Sequence, residues 1–218
     1  IPESIIWALT VALSNHVTLL LPITEIYFQQ NVITQVASII LMDGIILLSV
    51  IAFFLELSTK KNVNLFNFIK NLFLNPFILS IIIGLLFLLL NFNIDQTPIE
   101  YTLSKLAACV SPVGLFAIGI ILSFYTKNVI NKLSVSISVL KLVISPIILL
   151  LIGLVIFNAG LPAEIPGAFF VSVAPCGVTS IVLCAAYNVS PENIIKAIFV
   201  STIASIGTIF FAIKYLTL

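Results

Sequence analysis

Three groups of residues in this chain are of types that could do chemistry. The first is Pro175-Cys176-Gly177, with Thr179 and Ser180 close behind, inside the apolar stretch Ala168 to Val189. The second is Ser14, Asn15, His16 and Thr18, followed by Pro22. The third is a lone carboxylate, Asp43, in the run SIILMDGIILLSV. Proline removes a backbone donor and clashes with the preceding turn, so a helix through Ala168–Val189 is predicted to break near Pro175. A break surrounded by hydrocarbon survives only where it is buried in protein or lines a polar cavity. Half-helices meeting at small polar residues make a binding site for a solute or ion.

On this reading Asn15, His16, Pro22, Pro175, Cys176, Gly177, Thr179 and Ser180 contact a bound substrate. Asp43, with His16, is the candidate for proton or ion coupling, because a carboxylate inside an apolar span is a functional-site hypothesis by default and histidine titrates near neutrality. Each has a plainer alternative. Asn15 and His16 could make helix–helix hydrogen bonds, as polar residues in membranes do, and Asp43 could be a protonated group bonded to a neighbouring helix. Glu25 and Glu56 fall near span ends, where interfacial solvation accounts for them, and Lys141 and Lys196 are expected to snorkel to a membrane face.

Enzyme signals are poor. No GxSxG, HExxH or glycine-rich phosphate loop occurs, and the scattered serines and single histidine place no triad. An intramembrane aspartyl protease would need two paired aspartates, and Asp43 is the one mid-span. Cys109, Cys176 and Cys184 lack metal-ligand spacing and read as small apolar packers. No catalytic residue, metal or cofactor is expected.

The elements that must position these groups are membrane helices. The chain has 218 residues, 61% hydrophobic and 8% charged, where a soluble domain is about a quarter charged. Its net charge of +1 argues against nucleic-acid binding. Seven spans are predicted, at 5–28, 33–57, 76–92, 103–125, 136–158, 166–187 and 192–216, each near the ~20 residues a bilayer requires. Connections are short. The longest, Leu57 to Asn75, interleaves Phe and Leu with Lys and suits an amphipathic interfacial segment.

Lysine placement sets an orientation. Lys60, Lys61, Lys70, Lys127, Lys132, Lys141 and Lys196 fall on one side if the spans alternate, and Lys105 and Lys214 on the other. The central loop is therefore expected in the cytoplasm and the C-terminus outside, in a multi-pass protein of the plasma or inner membrane. Pro112, Gly114 and Gly119 suit tight helix packing, and Pro146 a kink.

Residues 5–57 and 166–216 follow one plan at an offset of about 160 residues. Each is a proline-bearing polar span followed by an uninterrupted one, and the two run in opposite directions, the signature of an inverted repeat. Five spans per half would close it, so about three are expected before Ile1. Residues 1–57 are then the last two helices of the first repeat, 58–75 a cytoplasmic linker and 76–218 the second repeat.

These residues resemble the auxin efflux carrier family, which includes plant PIN carriers and bacterial malonate-type permeases. Asn15 with Pro22 is similar to the fourth-helix pattern N-T-x-x-x-G-x-P. Pro175-Cys176-Gly177 followed by Tyr187-Asn188-Val189 resembles the ninth-helix P-x-G…Y-N-V. Asn75-Pro76 resembles the start of the sixth helix, Pro112, Phe116 and Gly119 the seventh, and Leu140-Lys141 with Pro146 the eighth. His16 stands where the family usually has Thr, Leu20 replaces a usual Gly, and Thr179 occupies a position often Asn in bacterial members.

The resemblance implies an all-α integral membrane transporter of ten helices in two inverted five-helix repeats. The fold would be like those of the bile-acid/sodium symporters and sodium–proton antiporters, with this chain holding helices four to ten. The broken fourth and ninth helices would cross at their prolines. The expected function is a secondary permease moving small organic anions by alternating access. The expected partners are an organic carboxylate, the lipid bilayer, a coupling proton or sodium ion, and a second copy in a homodimer. The alternative is a non-transporting membrane sensor or degenerate permease.

Overall fold

A computed structural model describes residues 1–59, 65–125, 128–158 and 163–217. Lys60, Lys61 and Lys127, on which the expected orientation partly rests, lie outside the described residues, as does 60–64 of the expected linker. The described chain is helical and holds a single isolated β-bridge.

Helix α1 (Pro2–Ala12) opens on a proline in its first turn, where no donor is needed. The chain is extended over 13–15, forms a wide π-helical turn at His16–Leu20, and continues as α2 (Leu21–Tyr27). Helices α3 (Gln30–Met42) and α4 (Leu48–Thr59) are one continuous rod, joined by a second π turn at Asp43–Leu47. α5 (Leu65–Phe73) falls in the stretch read as amphipathic, and α6 (Pro76–Leu89) follows.

α7 (Pro98–Ser123) starts at a Thr97 cap whose hydroxyl accepts from the Glu100 amide, and it runs on through Pro112. α8 (Lys132–Val139) opens on a capping box between Asn131 and Ser134. A third π turn, Leu140–Ile144, leads into α9 (Ser145–Phe157), with Pro146 in its first turn. The wide turn gives the room that the proline ring requires. α10 (Pro166–Ser172) and α11 (Thr179–Ala186) are two short pieces separated by 173–178, and α12 (Glu192–Thr217) closes the chain.

Among the described residues four rods are long and apolar enough to cross a membrane: Gln30–Thr59, Pro98–Ser123, Lys132–Phe157 and Glu192–Thr217. The broken pairs α1/α2 and α10/α11 are the discontinuous elements between them. α11 ends with Asn188 in the left-handed conformation (φ 54°), and the Val189 amide bonds back to the Cys184 carbonyl at 2.9 Å. This is a helix stop that asparagine tolerates, and it gives Tyr187-Asn188-Val189 a structural reason.

Two apolar clusters flank the breaks. One gathers Leu20, Val36, Phe169, Phe170 and Ile209, with Phe28 against Phe170 at 4.8 Å between ring centres. The other gathers Ile6, Leu55, Cys176, Cys184, Ile194 and Ile198. α8 and α12 pack along each other. α7 buries none of its residues, so its apolar surface is left for a non-aqueous surrounding.

Candidate functional site

The two breaks cross. The Asn15 amide donates to the Pro175 carbonyl at 2.9 Å, and the Gly177 amide donates to the Leu13 carbonyl at 2.8 Å. Ser14 and Cys176 are thus opposed in an antiparallel bridge. The sequence step that carries Leu13 onto Pro175 also carries Ser14 onto Cys176, Asn15 onto Gly177 and the start of α3 at Gln30 onto the start of α12 at Glu192. Gly177 is required by proximity. A Cβ there would lie 2.8 Å from Leu13 Cγ and 2.9 Å from Leu13 Cδ2.

Breaking two helices frees carbonyls, and three of them accept from side chains. The Lys141 ammonium donates to Ala12 O at 3.3 Å, Ser14 Oγ to Val171 O at 2.9 Å and Thr208 Oγ1 to Val173 O at 2.8 Å. The Cys176 amide donates to Ser201 Oγ at 3.2 Å. Several of the freed carbonyls are therefore satisfied within the fold. Two side-chain donors beside them are open: Asn15 Nδ2 and Ser180 Oγ are buried with no hydrogen-bond partner. Buried polar groups are nearly always paired, so a pair of orphans at one crossing calls for an explanation.

A cavity of about 380 Å³ adjoins the crossing. Asn15, His16, Thr18 and Thr179 line its polar end, and Ile40, Leu48, Val182 and Leu183 belong to its apolar wall. Thr18 Oγ1 donates to Asn15 Oδ1, which fixes the amide with its Nδ2 group free. Among the described residues no lysine lines the cavity. His16 is 6% exposed, and its Nε2 lies 2.9 Å from Asp43 Oδ2.

The candidate residues therefore separate. Asn15, His16 and Thr179 line the cavity. Pro175, Cys176 and Gly177 form the second strand of the crossing without lining it. Ser180 is fully buried one residue behind Thr179, and Asp43 reaches the cavity region through His16. Pro22 stands in the first turn of α2, while the break in that span lies at 13–15. The wide turn before it leaves room for its ring, as at Pro146, and pairing with Pro175 and Gly177 opens the chain earlier.

Lys141 corrects an expectation. It does not snorkel but is 1% exposed, because it holds the end of α1. Lys196 is also buried and pairs with Glu192 at 2.6 Å. Ser14 was grouped with Asn15 and Asn75 read as a helix start, neither with a binding role, yet both line the cavity, and Ser201, not singled out from sequence, caps the second break. The His16–Asp43 contact was legible in principle. The two residues stand roughly equally far from the turn at Phe28–Gln29, so antiparallel spans bring them to one level.

This arrangement is that of an integral membrane transport protein built on broken helices. A family model described as "Membrane transport protein" matches residues 2–213, and the chain belongs to that family, the auxin efflux carriers and their PIN-like relatives. No curated protein and no solved structure matches the chain. The family is one of transporters rather than enzymes.

Proposed function

We propose that this protein is a secondary transporter of small organic anions that works by alternating access around the crossed breaks. The observation that carries the reading is Asn15. Its Nδ2 group is buried, unpaired and held by Thr18 at the wall of a solute-sized cavity. A carboxylate oxygen there would satisfy it, with Thr179 as a second donor. The turn that opens at His16 and the helix that opens at Thr179 each present a positive dipole end at the crossing, which favours an anion where no lysine lines the wall.

The shared sequence step between the two halves, and the antiparallel sense in which they cross, support an inverted repeat. In such a repeat the crossing unit rocks as a body against the remaining helices. The central loop lies in the cytoplasm on this reading, and the driving force is a gradient or the membrane potential.

The test is uptake of radiolabelled carboxylates into proteoliposomes containing the full-length protein. Asn15→Ala should reduce flux about ten- to a hundredfold, the value of one hydrogen bond to a charged group. Pro175→Ala should reduce it by disturbing the second break. Wild-type flux in both variants rejects the crossing as the site. Binding without flux in the wild type identifies a sensor instead.

A further inference from the structure

We propose that His16 and Asp43 form one proton-binding site that excludes sodium, and that a proton held there and a carboxylate in the adjoining cavity strengthen each other's binding. The carboxylate half rests on the transporter reading above. The proton half rests on the pair's own surroundings.

Each residue opens a π turn, His16 in His16–Leu20 and Asp43 in Asp43–Leu47. π turns inside helices commonly mark functional positions. Here the two wide turns face each other and meet through one contact, Nε2 to Oδ2 at 2.9 Å. A neutral imidazole that donates its Nε2 proton to Asp43 leaves Nδ1 free to accept another. Taking that proton from water gives an imidazolium held against the carboxylate at contact distance.

A sodium ion would meet carbonyls that are already engaged. A hard cation takes several oxygens at once, and in broken-helix transporters the unwound carbonyls supply them. Here the carbonyls of Ala12, Leu13, Val171, Val173 and Pro175 already accept hydrogen bonds. Among the described residues no group of three or more His, Cys, Asp or Glu side chains could hold a metal ion.

The ionisable groups facing the pair are few. The turn before α9 brings Lys141, and the second break brings Cys176. α7 meets the His16 turn through Ser111 and Gly114, which do not ionise. His16 lines the cavity next to Asn15. Positive charge gained on the imidazole therefore acts on the same space that an anion would occupy. Such linkage is reciprocal: whatever the proton adds to carboxylate affinity, the carboxylate adds to proton affinity.

His16 is the single histidine of this sequence. ¹⁵N-histidine NMR of the full-length protein in liposomes thus reads it directly, with His16→Gln identifying the signal. The protein is titrated in sodium chloride and in choline chloride, each with and without malonate or butyrate. In parallel, uptake of labelled malonate and butyrate is driven by an imposed pH gradient or an imposed sodium gradient.

The expected result is an imidazolium fraction that ignores sodium and rises with the carboxylate, the imidazolium:imidazole ratio at fixed pH increasing about tenfold. Uptake should follow the pH gradient and lose that dependence in Asp43→Asn. A sodium-dependent imidazole signal, or uptake that follows only the sodium gradient, overturns the proton site while leaving transport in place. An imidazole that ignores both sodium and the carboxylates, with no flux of either, overturns the transporter reading and the linkage with it. The wild-type titration needs no variant that could misfold.

Discussion

Gly114, in the middle of α7, faces Thr18 so closely that a Cβ at 114 would lie 2.7 Å from Thr18 Cγ2. One turn earlier, Ser111 Oγ donates to the Thr18 carbonyl at 2.6 Å. The long helix is thus fitted against the loosened turn behind Asn15 and supplies a donor to it. Thr18 cannot simply rotate away, because its hydroxyl holds the Asn15 amide. Gly114→Ala is expected to destabilise the protein by about 1–3 kcal/mol through overpacking, read as a lowered melting temperature in detergent. Gly119→Ala on the same helix meets nothing within 4 Å and should be neutral or slightly stabilising. Equal effects at the two glycines would show that α7 does not seat on Thr18.

The crossing itself can be probed by exchanging volume across it. Gly177→Ala places a methyl group against Leu13 Cγ and Cδ2, and the bridge on either side prevents the strands from separating without losing two backbone hydrogen bonds. The single substitution should lower both melting temperature and carboxylate flux. Leu13→Ala should cost stability, since Leu13 is 3% exposed. Combined, they should be less damaging than their sum by about 1–2 kcal/mol, the coupling expected of residues in direct contact. Strict additivity would place Leu13 and Gly177 apart.

How much of this was readable beforehand follows from what each feature depends on. The long apolar rods depend on composition, and α3–α4, α7, α8–α9 and α12 fall within or across the predicted spans. The second break was legible because Pro175 and Gly177 interrupt an apolar run. The first was located by its proline and misplaced, since the wide turn before Pro22 leaves room for its ring and the opening at 13–15 is made by pairing with a segment far away in the chain. Lys141 looked like a surface cation for the same reason. The carbonyl that holds it, Ala12 O, belongs to another helix. Local chemistry marks that a helix can break, whereas its partner decides where.

Ser180 offers a test in which stability and function move in opposite directions. Its Oγ is fully buried with no partner, and an unsatisfied buried group costs about 1–3 kcal/mol. Ser180→Ala should therefore raise the melting temperature of the substrate-free protein. If the hydroxyl is kept for a carboxylate that settles over Thr179, the same variant should lose part of the stabilisation that added malonate or butyrate gives the wild type. A lower melting temperature without ligand would mean that Ser180 is satisfied within the fold.

Lys141 should behave as a structural cation rather than a surface one. Its ammonium sits at the last carbonyls of α1, where the helix dipole is negative and the freed Ala12 oxygen needs a donor. Lys141→Met keeps most of the side-chain volume and removes only the donor and the charge. The expected loss is about 1–3 kcal/mol for the orphaned carbonyl, read as a drop in melting temperature. Lys132→Met, at the exposed start of α8, should change it by no more than about 0.5 kcal/mol. Because Ala12 leads directly into the paired segment 13–15, Lys141→Met should also reduce carboxylate uptake even where the protein still folds. A Lys141→Met variant as stable and as active as Lys132→Met would show that the first break holds its shape without the lysine.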